Sequence, residues 1–322
     1  MTYLAHGITL ALAWFLAATA TCSVAAAVVG RSLLARRSRA AAPDPEVWFA
    51  LRLGPSIAAF AFVAAVFVPS FWLFEPRNSV ERFDVTLSAC ALVVVAMVAL
   101  AGGRGLLAAR AVRRRTRVWL QTATRLPGLA SAVPTFLVHT PSPLMALVGI
   151  ARPKVFVSAQ LVAALTPDEL SATIAHELAH WRAADNLKRL AIRMAPDFLG
   201  GTSVARGIER RWAAAAERAA DDRGTRGDVA LRCALAAALV KVARLMPQPV
   251  PQLEPMSTLD GGGDLTLRIE RLLGEPPSNS HGMSRARLLA ATAFVLAVTF
   301  VSYGPLLRAI HDATELLVNS LP

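Results

Sequence analysis

The chain has 322 residues, of which 55% are hydrophobic and 17% charged, with a formal net charge of +12 and a mean hydropathy of +0.47. That is too apolar for two soluble domains and fits a membrane protein. The arginines gather beside apolar runs and not along an aromatic-interleaved helix face, which argues for a lipid surface and against direct nucleic-acid binding. Cys22, Cys90 and Cys233 form no CxxC pair, so neither a disulfide framework nor a cysteine metal site is expected.

Four apolar runs are long enough to cross a hydrocarbon core, which takes about 20 helical residues. They run approximately from Leu4 to Val29, Leu53 to Phe74, Val85 to Leu107 and Ala286 to Leu306. The first has no basic residue before it and no small-residue cleavage site, so it is expected to stay as a span and not to be removed as a signal peptide. Orientation follows from the flanking charge, because Lys and Arg resist translocation. Arg31, Arg36, Arg37 and Arg39 follow the first run, Arg110, Arg113, Arg114, Arg115 and Arg117 follow the third, and Arg285 and Arg287 mark the start of the fourth. The connection between the second and third runs carries Glu75, Glu81 and Asp84 against Arg77 and Arg82. The expected protein is multi-pass in the cell membrane with both termini outside. Residues 1–107 form a three-helix membrane domain, 108–284 a cytosolic domain, and 285–322 a fourth helix with a short external tail.

Within the cytosolic segment, Thr135 to His139, Leu144 to Ile150 and Lys154 to Ser158 are strand-like and separated by prolines, and they predict a small antiparallel sheet. A helix start follows, with Thr166 as N-cap, Pro167 at the first helical position and Glu169 placed to complete a capping box. A second helix is predicted from Val204 to Arg223, ending at Gly224, and a third from Asp228 to about Leu245. Met246 to Pro251 and Asp260 to Asp264 read as linker, and no internal repeat is present.

The helix begun at Pro167 carries His176-Glu177-Leu178-Ala179-His180. Two histidines four apart differ by about 40° in azimuth, so their imidazoles leave one face and can share a zinc ion. Glu177, beside the first of them, can take a proton from water at the metal. A metzincin needs Gly and His where this chain has Ala183 and Asn186, which excludes that subclass. The third ligand must be acidic and come from elsewhere. Glu217 is the candidate, in Glu217-Arg218-Ala219-Ala220-Asp221, where the alanines let a second helix come close. Asp221 is a candidate to orient a ligand histidine by accepting its hydrogen bond, and Asp185 is its rival. His6, His139, His281 and His311 are scattered and are not expected to bind metal. One catalytic Zn2+ and a protein or peptide substrate follow from this set. Its chemistry is peptide hydrolysis with Glu177 as the catalytic base. The Lys154 to Ser158 strand is a candidate edge for an extended substrate.

These stretches, namely Ala151 to Ser158, Leu165 to Leu170, His176 to His180, Asp185-Asn186-Leu187 and Glu217 to Asp221, resemble the BlaR/MecR antirepressor peptidases over about Phe136 to Arg223. The resemblance implies a mainly α protein in which an α+β zincin-like (gluzincin) domain is inserted between transmembrane helices three and four. It also implies a signalling protease whose substrate is a cytosolic transcriptional repressor, and self-cleavage in a loop such as Glu275 to Gly282. The large penicillin-binding sensor domain of the beta-lactam receptors is not expected after Leu306. Two other readings stand beside it: a housekeeping membrane protease of the HtpX or CAAX-protease kind, and a membrane sensor without enzymatic activity.

Overall fold

The computed structural model describes residues 2–35, 43–77, 84–126, 133–140, 143–245, 257–258, 265–274 and 303–318. Helix α1 (Tyr3–Ala35), the segment Pro45–Phe74 and α4 (Val85–Thr122) are each long and apolar enough to cross a membrane. The fourth expected span lies outside the described residues up to residue 302, as do the linkers at 246–251 and 260–264 and the loop at 275–282.

The second apolar segment is not one regular helix. It comprises α2 (Pro45–Phe62), a π-helical turn (Val63–Phe67) and α3 (Val68–Phe74). Pro69 has no N–H to give to the carbonyl of Ala65 four residues back, and the Tyr303 hydroxyl donates to that carbonyl at 2.6 Å. Ser70 Oγ donates to the Leu307 carbonyl at 2.7 Å, and Trp14 Nε1 donates to Thr314 Oγ1 at 3.1 Å. Helix 303–318 is thereby fastened to the end of the bundle formed by the start of α1 and the finish of α3.

At the other end the bundle carries the α+β domain. Helix α4 has 38 residues and is about 57 Å long, nearly twice a hydrocarbon core. Its arginine-rich continuation therefore leaves the apolar zone without a break at residues 107–108 and lays Val112 and Trp119 against the sheet residues Val138, Ala146 and Phe156.

The sheet has five strands, β1 (Thr124–Arg125), β2 (Thr135–Val138), β3 (Met145–Val148), β4 (Lys154–Ser158) and β5 (Ser257–Thr258), in the order β1-β2-β4-β3-β5. It is mixed, not antiparallel as expected, because β4 runs parallel to β2 while pairing antiparallel with β3. The β3–β4 turn uses Gly149 at φ +106, and a Cβ there would come within 2.7 Å of the Arg152 carbonyl oxygen. Strand β4 is also not an edge, so the expected substrate pairing at Lys154 to Ser158 is ruled out. Its run Val155-Phe156-Val157 is buried on both faces, the pattern of a central strand.

Short helix α5 (Ala159–Ala164) leads to α6 (Pro167–Arg182). Glu169 N–H donates to Thr166 Oγ1 at 3.3 Å and Thr166 N–H donates to Glu169 Oε2 at 2.8 Å, a reciprocal capping box. Lys241 of α9 (Val229–Leu245) pairs with the same Glu169 at 2.7 Å. Helix α7 (Asp185–Arg193) and helix α8 (Ser203–Thr225) complete the wall around α6, with α10 (Leu265–Leu273) behind. The expected stop at Gly224 is displaced. Helix α8 runs through it to Thr225 and is closed by Arg226, which takes the left-handed conformation at φ 51.

The domain is tied to the spans by a buried arginine. Arg52 of α2 gives Nη1 to Asp197 Oδ2 at 2.6 Å and Nε to Glu209 Oε1 at 2.7 Å. Close packing adds to this: a Cβ on Gly207 would come within 2.8 Å of Leu34, and one on Gly30 within 2.9 Å of Ile208.

The interior position of β4 is testable. Val157→Pro removes a ladder hydrogen bond from a central strand, so the variant is expected to lose the folded domain, read as wholesale protease sensitivity of residues 133–245. A folded variant deficient only in cleavage would return β4 to the edge.

Candidate metal centre

Helix α6 presents His176, Glu177 and His180 inward, and all three are fully buried. Helix α8 crosses against them so closely that a Cβ on Gly224 would meet the His176 backbone at 3.0 Å. The glycine here serves helix approach, which explains why it sits inside α8 and not after it. The alanines Ala216 and Ala220 flank Glu217 on the buried side.

The three expected ligands converge. The Nε2 atoms of His176 and His180 lie 3.2 Å apart, and each is 3.5 Å from an oxygen of Glu217. One ligand atom from each of the three residues lies within 4.8 Å of the others. The two expected orienting carboxylates turn out not to be rivals. Asp221 Oδ1 is 2.9 Å from His176 Nδ1, and Asp185 Oδ2 is 2.7 Å from His180 Nδ1. Each histidine thus has a carboxylate behind it, an arrangement that directs both Nε2 atoms to the centre.

The set fits a zinc ion by its donors and by what it leaves unsatisfied. Both oxygens of Glu177 and Oε1 of Glu217 are buried without a hydrogen-bond partner among the described residues, which costs free energy unless a cation or ligand completes them, while Glu217 Oε2 has the Arg268 guanidinium at 3.1 Å. Two imidazoles and one carboxylate are the ligand set of an open catalytic zinc site. The site's electrostatics agree. Burial pushes Glu177 up to about 7 against the pull of His176 and His180. Burial alone would lower His180, but Glu217 and Asp185 push it up to about 10. Glu217, which burial would raise, is held well below the usual carboxylate range by His180 and Arg268.

Two side chains of the site were not anticipated. Arg268 of α10 forms a fork with Asp221, Nη2 to Oδ1 at 2.7 Å and Nε to Oδ2 at 3.0 Å, and places Nη1 3.1 Å from Glu217 Oε2. Asn186 donates from Nδ2 to the carbonyls of Leu147 and Gly149 at 3.2 and 3.1 Å, fastening the start of α7 to β3. No spacing rule links Arg268 to the motif, and Asn186 enters the sequence reading as the residue standing in place of a third histidine and as part of the stretch Asp185-Asn186-Leu187, without a bonding role. Of the other histidines, His6 and His139 join no metal-type cluster among the described residues, and His281 lies outside them. His311 is less isolated than its sequence position suggests, since one ligand atom each from Glu75, His311 and Glu315 falls within 4.8 Å at the far end of the bundle.

Because a ligating imidazole must be neutral and His180 is held protonated at pH 7, zinc uptake by metal-free protein is expected to release protons and to strengthen as pH rises. Calorimetry in buffers of different ionisation enthalpy reads this directly, and a buffer-independent heat would contradict it. Arg268→Gln leaves Asp221 and Glu217 without their cation, so zinc affinity is expected to fall by roughly 10–100-fold, measured by competition with a chromogenic chelator.

The sequence model of peptidase family M48 matches residues 88–252, just over half of the chain. The matched span contains His176, Glu177, His180, Glu217 and Asp221 and stops short of Arg268. No curated protein matches the chain significantly.

Proposed function

The chain belongs to peptidase family M48, a family of zinc metallopeptidases, and on that premise we propose that it is a membrane-embedded zinc endopeptidase acting at the cytosolic face. The observation that carries this reading is the convergence of His176, His180 and Glu217 on one buried point beside Glu177. A zinc ion held there supplies the Lewis acidity that makes water a nucleophile near neutral pH and polarises a scissile carbonyl. Glu177, buried beside the converging ligands, suits both halves of the proton transfer, taking a proton from the attacking water and returning it to the leaving amine. Asp185 and Asp221 hold the imidazole tautomers, and Arg268 holds Glu217 and Asp221 in register.

The proposed orientation, with four spans and both termini outside, rests on the arginine distribution. It has a structural support: α10 packs in the peptidase domain through Arg268, whereas helix 303–318 packs at the opposite end of the bundle.

The finer reading is regulatory, with a cytosolic transcriptional repressor as substrate, and its support is the resemblance to the BlaR/MecR peptidases. A housekeeping protease of membrane proteins is the second reading. It is favoured by the seating of α8, which brings Glu217, directly against Gly30 and Leu34 at the inner end of α1, within reach of a membrane-bound substrate.

Glu177→Gln is expected to keep zinc and to lose cleavage by about 10²–10⁴-fold. Comparing the proteomes of cells carrying the native chain and this variant identifies the substrate. A fragment of a DNA-binding repressor appearing only with the native chain fits the regulatory reading, fragments of membrane proteins fit the housekeeping one, and unchanged function of the variant in cells refutes both in favour of a non-enzymatic sensor.

A further inference from the structure

The end of the bundle away from the peptidase domain carries a second group of metal-type donors. One ligand atom each from Glu75, His311 and Glu315 lies within 4.8 Å of the others, the same limit that the donors of His176, His180 and Glu217 meet. His311 and Glu315 stand four apart on helix 303–318, about 40° apart in azimuth, so one face presents an imidazole and a carboxylate together. Glu75 comes from a different element. It closes α3 in an extended conformation, with its N–H donating to the Phe71 carbonyl at 3.1 Å, and its side chain is 6% exposed. A buried carboxylate at the C-terminal end of a helix meets the negative pole of the helix dipole, and both conditions favour a cation beside it. The His311 ring is placed there, packed on Phe74 with ring centroids 5.6 Å apart, and its Nδ1 is 3.9 Å from Glu75 Oε2. That separation is too long for a hydrogen bond. It is close to the spacing of about 3.3 Å between two donors that share a tetrahedral zinc ion.

We infer that Glu75, His311 and Glu315 form a second divalent-metal site, of zinc type, that clips helix 303–318 to the end of α3. The frame that holds the donors is already fixed on both sides of His311. Leu307, one turn before it, accepts the Ser70 hydroxyl at 2.7 Å, and Thr314, three residues after it, accepts the Trp14 indole N–H at 3.1 Å. The donor set decides the class of ion, because an imidazole selects a borderline transition metal over calcium or magnesium, which take oxygen ligands. Two carboxylates and a neutral imidazole balance a divalent cation. A protonated His311 between the same two carboxylates leaves one negative charge over. Glu315 is exposed, so the ion has a path of entry and water can complete its coordination. The apolar segment that ends at Glu75 begins with α2, whose Arg52 holds Asp197 and Glu209. The ion and the peptidase domain thus grip the two ends of one span. In the orientation proposed above, this end faces outside and the ion is drawn from there. The binding itself depends neither on that orientation nor on the peptidase reading.

The test equilibrates the purified full-length protein in detergent with zinc buffered at micromolar free concentration and counts bound metal by native mass spectrometry. The native chain is expected to hold two zinc ions, and His311→Gln and Glu315→Gln one each. Glu315→Gln alters an exposed position, so it keeps the test open where His311→Gln does not fold, and matching thermal unfolding of the metal-free native and variant proteins certifies its fold. Hydrogen exchange of the amides in 303–318 is expected to slow on zinc addition in the native chain and not in Glu315→Gln. The two centres fail separately. A zinc ion lost in His176→Ala and kept in His311→Gln belongs to the peptidase centre, whereas one kept in His176→Ala and lost in His311→Gln establishes the second site even where the peptidase reading falls. A native chain that binds only the ion lost in His176→Ala overturns the second site, as does a second ion that persists in both His311→Gln and Glu315→Gln, which is an adventitious ion only. Calcium bound there in preference to zinc overturns the class of metal, and exchange in 303–318 that zinc leaves unchanged overturns the clip.

Discussion

Everything around α6 follows from the burial of too much negative charge in one place. Glu177, Asp185, Glu217 and Asp221 are all at most 2% exposed, and the buried cation among them is Arg268, with Lys188 3.9 Å from Asp185. With all four carboxyls ionised, two negative charges are left over. A protein interior does not tolerate such an excess. It must be met by protons on the histidines, which is the direction in which His176 and His180 are pushed, or by a divalent cation taking their place. The metal site and the stability of the domain are therefore one problem with one solution.

That solution demands that two helices approach almost backbone to backbone. Gly224 against the His176 backbone, with Ala216 and Ala220 on the same buried side, allows α8 to deliver Glu217 and Asp221 to the face of α6. Larger residues there would separate the helices and leave the carboxylates short of the imidazoles. The same α8 is glycine-cut at its other end, where Gly207 receives Leu34. One helix thus rests on the membrane bundle at its start and on the metal centre at its finish.

The parts of this arrangement that depend on local chemistry were readable in the sequence. The Thr166–Glu169 capping box announced α6, helical periodicity put His176 and His180 on one face, and the alanines around Glu217 announced close packing. What depended on long-range topology was not. Nothing in Lys154 to Ser158 said that β4 would run parallel to β2, although its unbroken apolar run was a sign of a central strand that the edge assignment overlooked. Arg268 lies 47 residues from Asp221 in the chain, and it joins the site only through the packing of α10. Gly224 looked like a helix stop because glycine commonly serves that purpose. Its actual role appears only once a neighbouring backbone is present.

The shared use of α8 has a consequence for control. From Glu209, which holds Arg52, to Glu217, which faces the histidines, is two turns of one helix, about 12 Å. Over that distance an α-helix is stiff, so a shift of the spans against the domain reaches Glu217 with little loss, and a carboxylate displaced by about 1 Å ceases to be a good ligand. A stimulus acting on the membrane bundle can then change the state of the metal centre without touching it. In either proposed reading, regulatory or housekeeping, the joint at Arg52, Asp197 and Glu209 ties the position of the spans to the helix that carries Glu217.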